Sequence, residues 1–401
     1  MITAQSASAF IETEQRLGAH NYAPLDVVIS HGEGVWLYDV EGRRYLDCIS
    51  AYSAVNQGHR HPRIVAALVE QAGRIALTSR ALRHDRFASF LERLTAVCRQ
   101  EMALPVNTGV EAVETAIKLA RRWGYRVKGI PAGQARIVVA RNNFHGRTTT
   151  VIGFSSEEQY RADFGPFTPN FDRVTFGDID ALREAIGPQT CAVLLEPIQG
   201  EGGVVVPPEG YLRAVRELCS EQRVLFVADE IQTGFGRTGD LFACDHEGVV
   251  PDILIVGKAL GGGLYPVSAA LASRELMLLF GPGDHGSTFG GNPLACAVGE
   301  AALDVLVDEH LAERARRAGA RLSEGLRAAA GSRAREVRGR GLLLGVDLYG
   351  PARPLANALR ERGVLAKDTH GTVLRIAPPL VIEDAEIDML LSAFAEAIAT
   401  L

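Results

Sequence analysis

The chain has 401 residues, 47% of them apolar and 22% charged, and carries a net charge of −6. That is enough apolar material for a large core spread over two or three domains, or over one large domain with a satellite. The mildly acidic balance without a basic run argues against nucleic acid as a partner, and no apolar stretch reaches the roughly 18 residues of a membrane helix.

Six cysteines (Cys48, Cys98, Cys191, Cys219, Cys244 and Cys296) stand singly, with no CxxC pair. Neither a zinc site nor a disulfide framework is expected, and a reducing cytoplasm suits them. His59 and His61 in "HRHP" have no third ligand nearby and read as a polar loop before Pro62, so no metal is expected. The opening "MITAQSASAFIETEQRLG" lacks the basic start and apolar middle of a secretory signal, and the arginine richness of a transit peptide.

In chain order, "GVWLYDVEGRRYLD" (34–47) predicts a hairpin, two aromatic and β-branched runs flanking a turn. "NTGVEAVETAIKLARRWG" predicts a helix, with Val110, Val113, Ile117 and Ala120 at helical spacing and Asn107 or Thr108 as its cap. Four short apolar runs follow: "ARIVVA" (135–140), "CAVLLEP" (191–197), "VLFVADE" (224–230) and "ILIVGK" (253–258). Helical segments such as "GYLRAVRELCSEQR" separate them, which points to a mainly parallel sheet covered by helices on both faces. Residues 300–330 carry one long, alanine-rich amphipathic helix pattern. Strand-like "GRGLLLGVDL" and "GTVLRIAPPLV" and a final helix "EDAEIDMLLSAFAEAIATL" complete a smaller α+β unit. The expected division is 1–48 packing with the small domain, 49–295 as the large domain, and 296–401 as the small domain.

Ligands of parallel sheets bind beyond the carboxyl ends of the strands. Two such ends carry ionisable residues, Asp229 in "LFVADE" and Lys258 in "LIVGK". Alone, Asp229 reads equally well as a helix cap and Lys258 as a lysine just reaching solvent. Together they fit a pyridine aldehyde, because an aspartate keeps the ring nitrogen protonated while a lysine amine forms a Schiff base with the aldehyde. That is the chemistry of pyridoxal phosphate. Its phosphate needs N–H groups at a helix start, which "NTGVEAVETA" supplies, with Gly109 allowing close approach. A phosphate-binding loop of the GxxxxGK[ST] kind fails at Asp252 and Ala259, and "GKALGGG" is no dinucleotide fingerprint.

Several long motifs stand in order along the chain: "SAYSAVNQGHRHP", "NTGVEAVETAIKLARRWGY", "FHGRT", "FGPF", "EPIQGEGGVVVP", "ADEIQTGFGRTG", "GKALGGGLYPVSA" and "HGSTFGGNPLAC". With them the chain resembles the class III, fold-type I pyridoxal-phosphate aminotransferases, and among these the ornithine-using members, over nearly its whole length. The resemblance implies an α/β fold, a large cofactor domain with a mainly parallel sheet plus a smaller α+β domain. It places the Schiff base on Lys258 and sets Asp229 against the pyridine nitrogen. Gln232 would bond the ring's phenolic oxygen, Phe144 would stack on the ring, and Gly109 and Val110 would hold the phosphate. Ser287 and Thr288 would reach the phosphate of a neighbouring subunit, which makes a homodimer with shared sites the expected partner arrangement.

The same resemblance implies transfer of the δ-amino group of ornithine to 2-oxoglutarate. Arg147 would be a fixed carboxylate receptor and Arg375 a switchable one, neutralised by Glu201 while ornithine is bound. Tyr22 and Tyr52 match positions that shape the ornithine pocket. Enzymes for acetylornithine or 4-aminobutyrate share the lysine, aspartate and arginines, and a cofactor-binding protein without activity is the alternative of another class. His145 departs from the aromatic residue that many ornithine enzymes have beside the stacking phenylalanine.

Overall fold

A computed structural model describes residues 6–401. The first five residues, which belong both to the stretch expected to lack a leader and to the 1–48 segment, lie outside the described residues. Seven strands build the central sheet: β1 (Met102–Val106), β2 (Arg136–Ala140), β3 (Phe171–Val174), β4 (Thr190–Leu195), β5 (Leu225–Asp229), β6 (Ile253–Val256) and β7 (Ser268–Ala272). Across the sheet they run β1-β7-β6-β5-β4-β2-β3. Only β7 is antiparallel to its neighbours. The four expected apolar runs are β2, β4, β5 and β6. β1 and β7 escape a pattern reading because proline and alanine carry little strand preference. Pairing and burial within the sheet make them strands.

Alternation along the strands sorts the core into two layers. Ile137, Val139, Leu194, Val227 and Ile255 face the helix Gly109–Arg126. Val138, Val193, Leu195, Phe226 and Ala228 face the opposite side, toward the helix Tyr211–Glu221. Since helices cover both faces, the open positions are the carboxyl ends of the parallel strands, where β4, β5 and β6 deliver Glu196, Asp229 and Lys258.

The expected hairpin forms between Trp36–Asp39 and Arg44–Asp47, with Ile29–Glu33 added outside it. Val364–Leu365 completes that sheet, parallel to Arg44–Asp47, and so ties the two ends of the chain together. A third sheet contains Ala334–Arg340, Leu343–Leu348, Val373–Ile376 and Lys367–Thr369, all antiparallel. One expectation needs correction. The long helix read over 300–330 is two helices, Pro293–Asp308 and Leu311–Ala330, broken where His310 takes φ +52°. The first packs on the helices Pro62–Ala72 and Asp85–Cys98, the second on Asp384–Ile398. One straight rod could not serve both surfaces. Among the described residues no helix is long and apolar enough to cross a membrane.

Candidate active site

The two ionisable strand ends come together because β5 and β6 are adjacent and parallel, with Asp229 opposite Ile255. The backbone turns sharply after β6, and Lys258 sits in the left-handed region at φ 44°, a conformation that a non-glycine residue adopts only when its surroundings enforce it. Burial lowers the pKa of the Lys258 amine, with the charges of Glu201, Arg375, Asp229 and Glu196 acting on it in opposing directions. The net depression favours a neutral amine, which a nucleophile and proton carrier requires.

Asp229 is 4% exposed. Its Oδ1 accepts the Ile231 N–H at 3.1 Å, and Oδ2 lies 2.7 Å from Nδ1 of the buried His145. For His145 the largest effect is burial, which lowers its pKa, but the hydrogen bond and charge of Asp229 outweigh it and the net shift is upward. Behind it stands Glu196, pushed up to about 7 chiefly by burial, with the His145 charge pulling the other way. Its carboxylate also accepts the N–H groups of Phe144 at 2.9 Å and Gly200 at 3.4 Å. His145 thus fixes the orientation of the Asp229 carboxyl group, while Glu196 fixes the loop that carries Phe144 and His145. Sequence reasoning noted His145 only as a departure and missed Glu196. Glu196 follows an apolar run at a strand end, as Asp229 does, so the same rule would have found it.

The phosphate cradle and ring contacts can be tested against the cofactor's shape. Helix Gly109–Arg126 begins at the edge of this site, and Glu111 accepts the N–H groups of Asn107 and Thr108 at 2.8 Å each. The first-turn N–H groups of Gly109 and Val110 have no intrahelical acceptor, as at every helix start. A Cβ on Gly109 would lie 3.0 Å from Ile231 Cδ1, so glycine keeps the approach open. Gln232 donates to Glu201 at 3.3 Å, while its own Oε1 is buried without a partner. It leaves no room at Gly200, where a Cβ would fall 1.4 Å from that oxygen. A nucleophilic amine, a buried and firmly oriented aspartate, an open helix start and an amide with unused hydrogen-bonding capacity fit pyridoxal phosphate.

Beyond this floor lies an ion pair. Arg375 Nη1 lies 2.6 Å from Glu201 Oε1, with the arginine 2% exposed. Burial would raise the Glu201 pKa, but the guanidinium beside it brings the net shift downward. The Tyr52 ring centre is 5.0 Å from the Arg375 guanidinium. Tyr22 is 78% exposed and shares with Tyr52 the lining of a cavity of about 530 Å³. Arg147 is exposed and lies 3.7 Å over the Tyr160 ring, with Phe144 at 5.4 Å. Ser287 Oγ accepts from Asn107 Nδ2 at 2.7 Å, beside its own chain's helix start, and Thr288 is exposed. The structure therefore gathers Lys258, Asp229, Gln232, Glu201, Arg375 and Tyr52, and leaves Tyr22, Arg147 and Thr288 on the rim.

Tyr52 is carried by an unusual backbone. Ser50, Ala51, Tyr52 and Ser53 all have positive φ, at 47°, 44°, 61° and 74°. Left-handed residues with a Cβ cost roughly 1–2 kcal/mol each and seldom occur in a row. "SAYS" contains no glycine or asparagine to announce such a turn.

Fold and floor together define a pyridoxal-phosphate transferase, its lysine and aspartate at adjacent strand ends of a mostly parallel sheet. The chain belongs to the class III aminotransferases: that family's model matches residues 17–398. It is 56% identical to the ornithine aminotransferase of Brevibacillus brevis over 378 residues, 94% of this chain and 95% of the relative. The ornithine aminotransferase of Toxoplasma gondii, whose structure is described with partial occupancy of pyridoxal phosphate at the active site, superposes with a TM-score of 0.98. It is 42% identical, over 99% of this chain and 95% of that one. The acetylornithine aminotransferase of Elizabethkingia anophelis superposes with a TM-score of 0.92 at 50% identity, over 99% of this chain and all of that one. Pyridoxal phosphate is the family's cofactor.

Proposed function

We propose that the protein transfers the δ-amino group of L-ornithine to 2-oxoglutarate, giving glutamate 5-semialdehyde and L-glutamate. The observation that carries this reading is the 2.6 Å pair between Glu201 and the buried Arg375. While the pair is closed, Arg375 does not compete for ornithine's α-carboxylate, and the distal amine reaches Lys258. When 2-oxoglutarate arrives, Glu201 releases Arg375 to its α-carboxylate and Arg147 takes the other end, each through the paired N–H groups of a guanidinium. The bound cofactor supplies the aldehyde that receives the amine and a ring that draws electrons from the reacting carbon. Lys258 Nζ moves the proton to and from that carbon, helped by its lowered pKa. Asp229, oriented by His145, would face the ring nitrogen. Phe144 would cover the ring face, Gln232 the phenolic oxygen, and Gly109 with Val110 the phosphate.

Overall likeness supports ornithine as the donor, since the ornithine aminotransferase of Brevibacillus brevis is 56% identical and the superposed acetylornithine enzyme 50%, and Tyr22 and Tyr52 would shape the pocket for it. Comparing turnover of ornithine, N-acetylornithine and 4-aminobutyrate tests this choice of donor, and a preference for either of the last two would overturn it. Bleaching of the yellow holoenzyme by ornithine separates an active enzyme from an inert cofactor binder.

We further infer a homodimer in which Ser287 and Thr288 complete the neighbour's phosphate site, working in a reducing cytoplasm, with all six cysteines buried and unpaired. The proposed domains are 1–48, 49–295 and 296–401. The pairing of Val364 with Leu46 supports assigning the first segment to the small domain, and the helix Pro293–Asp308 spans the second boundary. Sedimentation of the holoenzyme as a dimer supports the shared site, and a monomer with full activity would remove it.

A further inference from the structure

The left-handed turn at Ser50–Ser53 needs something to hold it. Asp47, 2% exposed, accepts the N–H groups of Ile49 and Ser50 on a single oxygen, at 2.8 and 2.9 Å. Its other oxygen lies 2.8 Å from Nε2 of His59. His59 is itself fixed, because its backbone exchanges hydrogen bonds of 2.7 and 3.0 Å with Gly34. Its ring lies so close to Gly32 that a Cβ there would come within 2.9 Å of the ring. A carboxylate bridging two backbone N–H groups and an imidazole has little freedom left.

The turn is also locked to the segment that carries Arg375. Cys48 C=O accepts from Ala377 N–H and Asn56 C=O from Leu380 N–H, both at 2.8 Å. The fully buried Arg237 donates to Asn56 Oδ1 and to the Pro378 carbonyl, both at 2.6 Å. Tyr52 therefore cannot drift independently of Arg375. Its ring stays over the guanidinium that closes on Glu201, and Asp47, His59, Ala51 and Tyr52 line one cavity.

We propose that Asp47 and His59 are positioning residues for donor selectivity. By holding the left-handed turn they keep the Tyr52 ring over Arg375, shield the Arg375–Glu201 pair from water, and so favour the closed pair that takes the diamine. This inference rests on the reading of Glu201 and Arg375 as the switch. Loosening the turn admits water, weakens the pair and leaves Arg375 readier for a carboxylate. Ornithine then loses more than the dicarboxylate does.

The test uses holoenzyme of Asp47→Asn, the milder His59→Gln, Tyr52→Leu and the double variant Asp47→Asn/Tyr52→Leu. It reads the KM for ornithine, the KM for 2-oxoglutarate and the calorimetric Kd of glutarate, an unreactive dicarboxylate. The expected result is an ornithine KM raised about tenfold, the scale of a lost cation–aromatic contact. The 2-oxoglutarate KM and the glutarate Kd should be unchanged or lower, and the double variant no worse than Tyr52→Leu alone. Equal losses for both substrates in His59→Gln, or additive losses in the double variant, would overturn the proposal. Failure of the underlying switch is seen separately: Glu201→Gln would then leave the ratio of the two KM values unchanged.

Discussion

The floor of the site and its rim are built on different principles. Asp229, Glu196 and Lys258 follow apolar strands held on both faces, and His145 and Gln232 pack against them. Tyr22, Arg147 and Thr288 project from loops into solvent. The floor positions charge where water cannot screen it, so each group's effect is large. The rim meets substrate through exposed groups, where single contacts contribute little.

Substitutions can break or sharpen this contrast. Lys258→Ala, at the floor, should lose at least about a thousandfold in kcat while still taking up cofactor, as removal of both nucleophile and proton carrier demands. Normal turnover would end the mechanism. Next comes the pH dependence of stability. The Glu196 pKa is raised from 4.5 to about 7 chiefly by burial, so folding favours its protonated form. That contribution is complete below the ordinary carboxylate range and is lost as pH rises through about 7. Chemical denaturation of Glu196→Gln should show a stability, relative to the parent, that improves between about pH 5 and pH 8 by up to about 3 kcal/mol. A parallel pH dependence in both proteins would show that Glu196 is charged in the fold throughout.

Between floor and rim stands the ion pair. Removing Arg375 strands a partly buried carboxylate, so Arg375→Ala should raise the KM for 2-oxoglutarate about a hundredfold, on the scale of a lost buried charge contact. At the rim, Arg147→Ala should cost about tenfold in the same KM, since its guanidinium is exposed and rests on Tyr160. If Arg147 outweighed Arg375, the assignment of fixed and switchable arginines would be reversed.

The same contrast governs what could be read from the sequence. β2, β4, β5 and β6 announce themselves as apolar runs, and with them Asp229 and Lys258 at their ends. The helix start at Thr108 is legible from its capping residues. Glu201 and Arg375 are not legible from pattern: they lie 174 positions apart, and only the resemblance joined them. His145 needed the fold, because its meaning comes from Asp229 across 84 positions. The turn at Ser50–Ser53 is hidden for another reason. Its residues have no preference for positive φ, and the conformation is imposed from outside by Asp47 and His59. The helix break at His310 is likewise set by what each half packs against, not by any local stop signal.

All of this depends on the amine of Lys258 being the group that holds the cofactor. Borohydride reduction of the yellow holoenzyme, followed by peptide mass mapping, reads that bond directly. The account predicts the cofactor's mass on the peptide containing Lys258 and on no other. Label on a different lysine, or a cofactor released unreduced from a protein that still turns over, would contradict it.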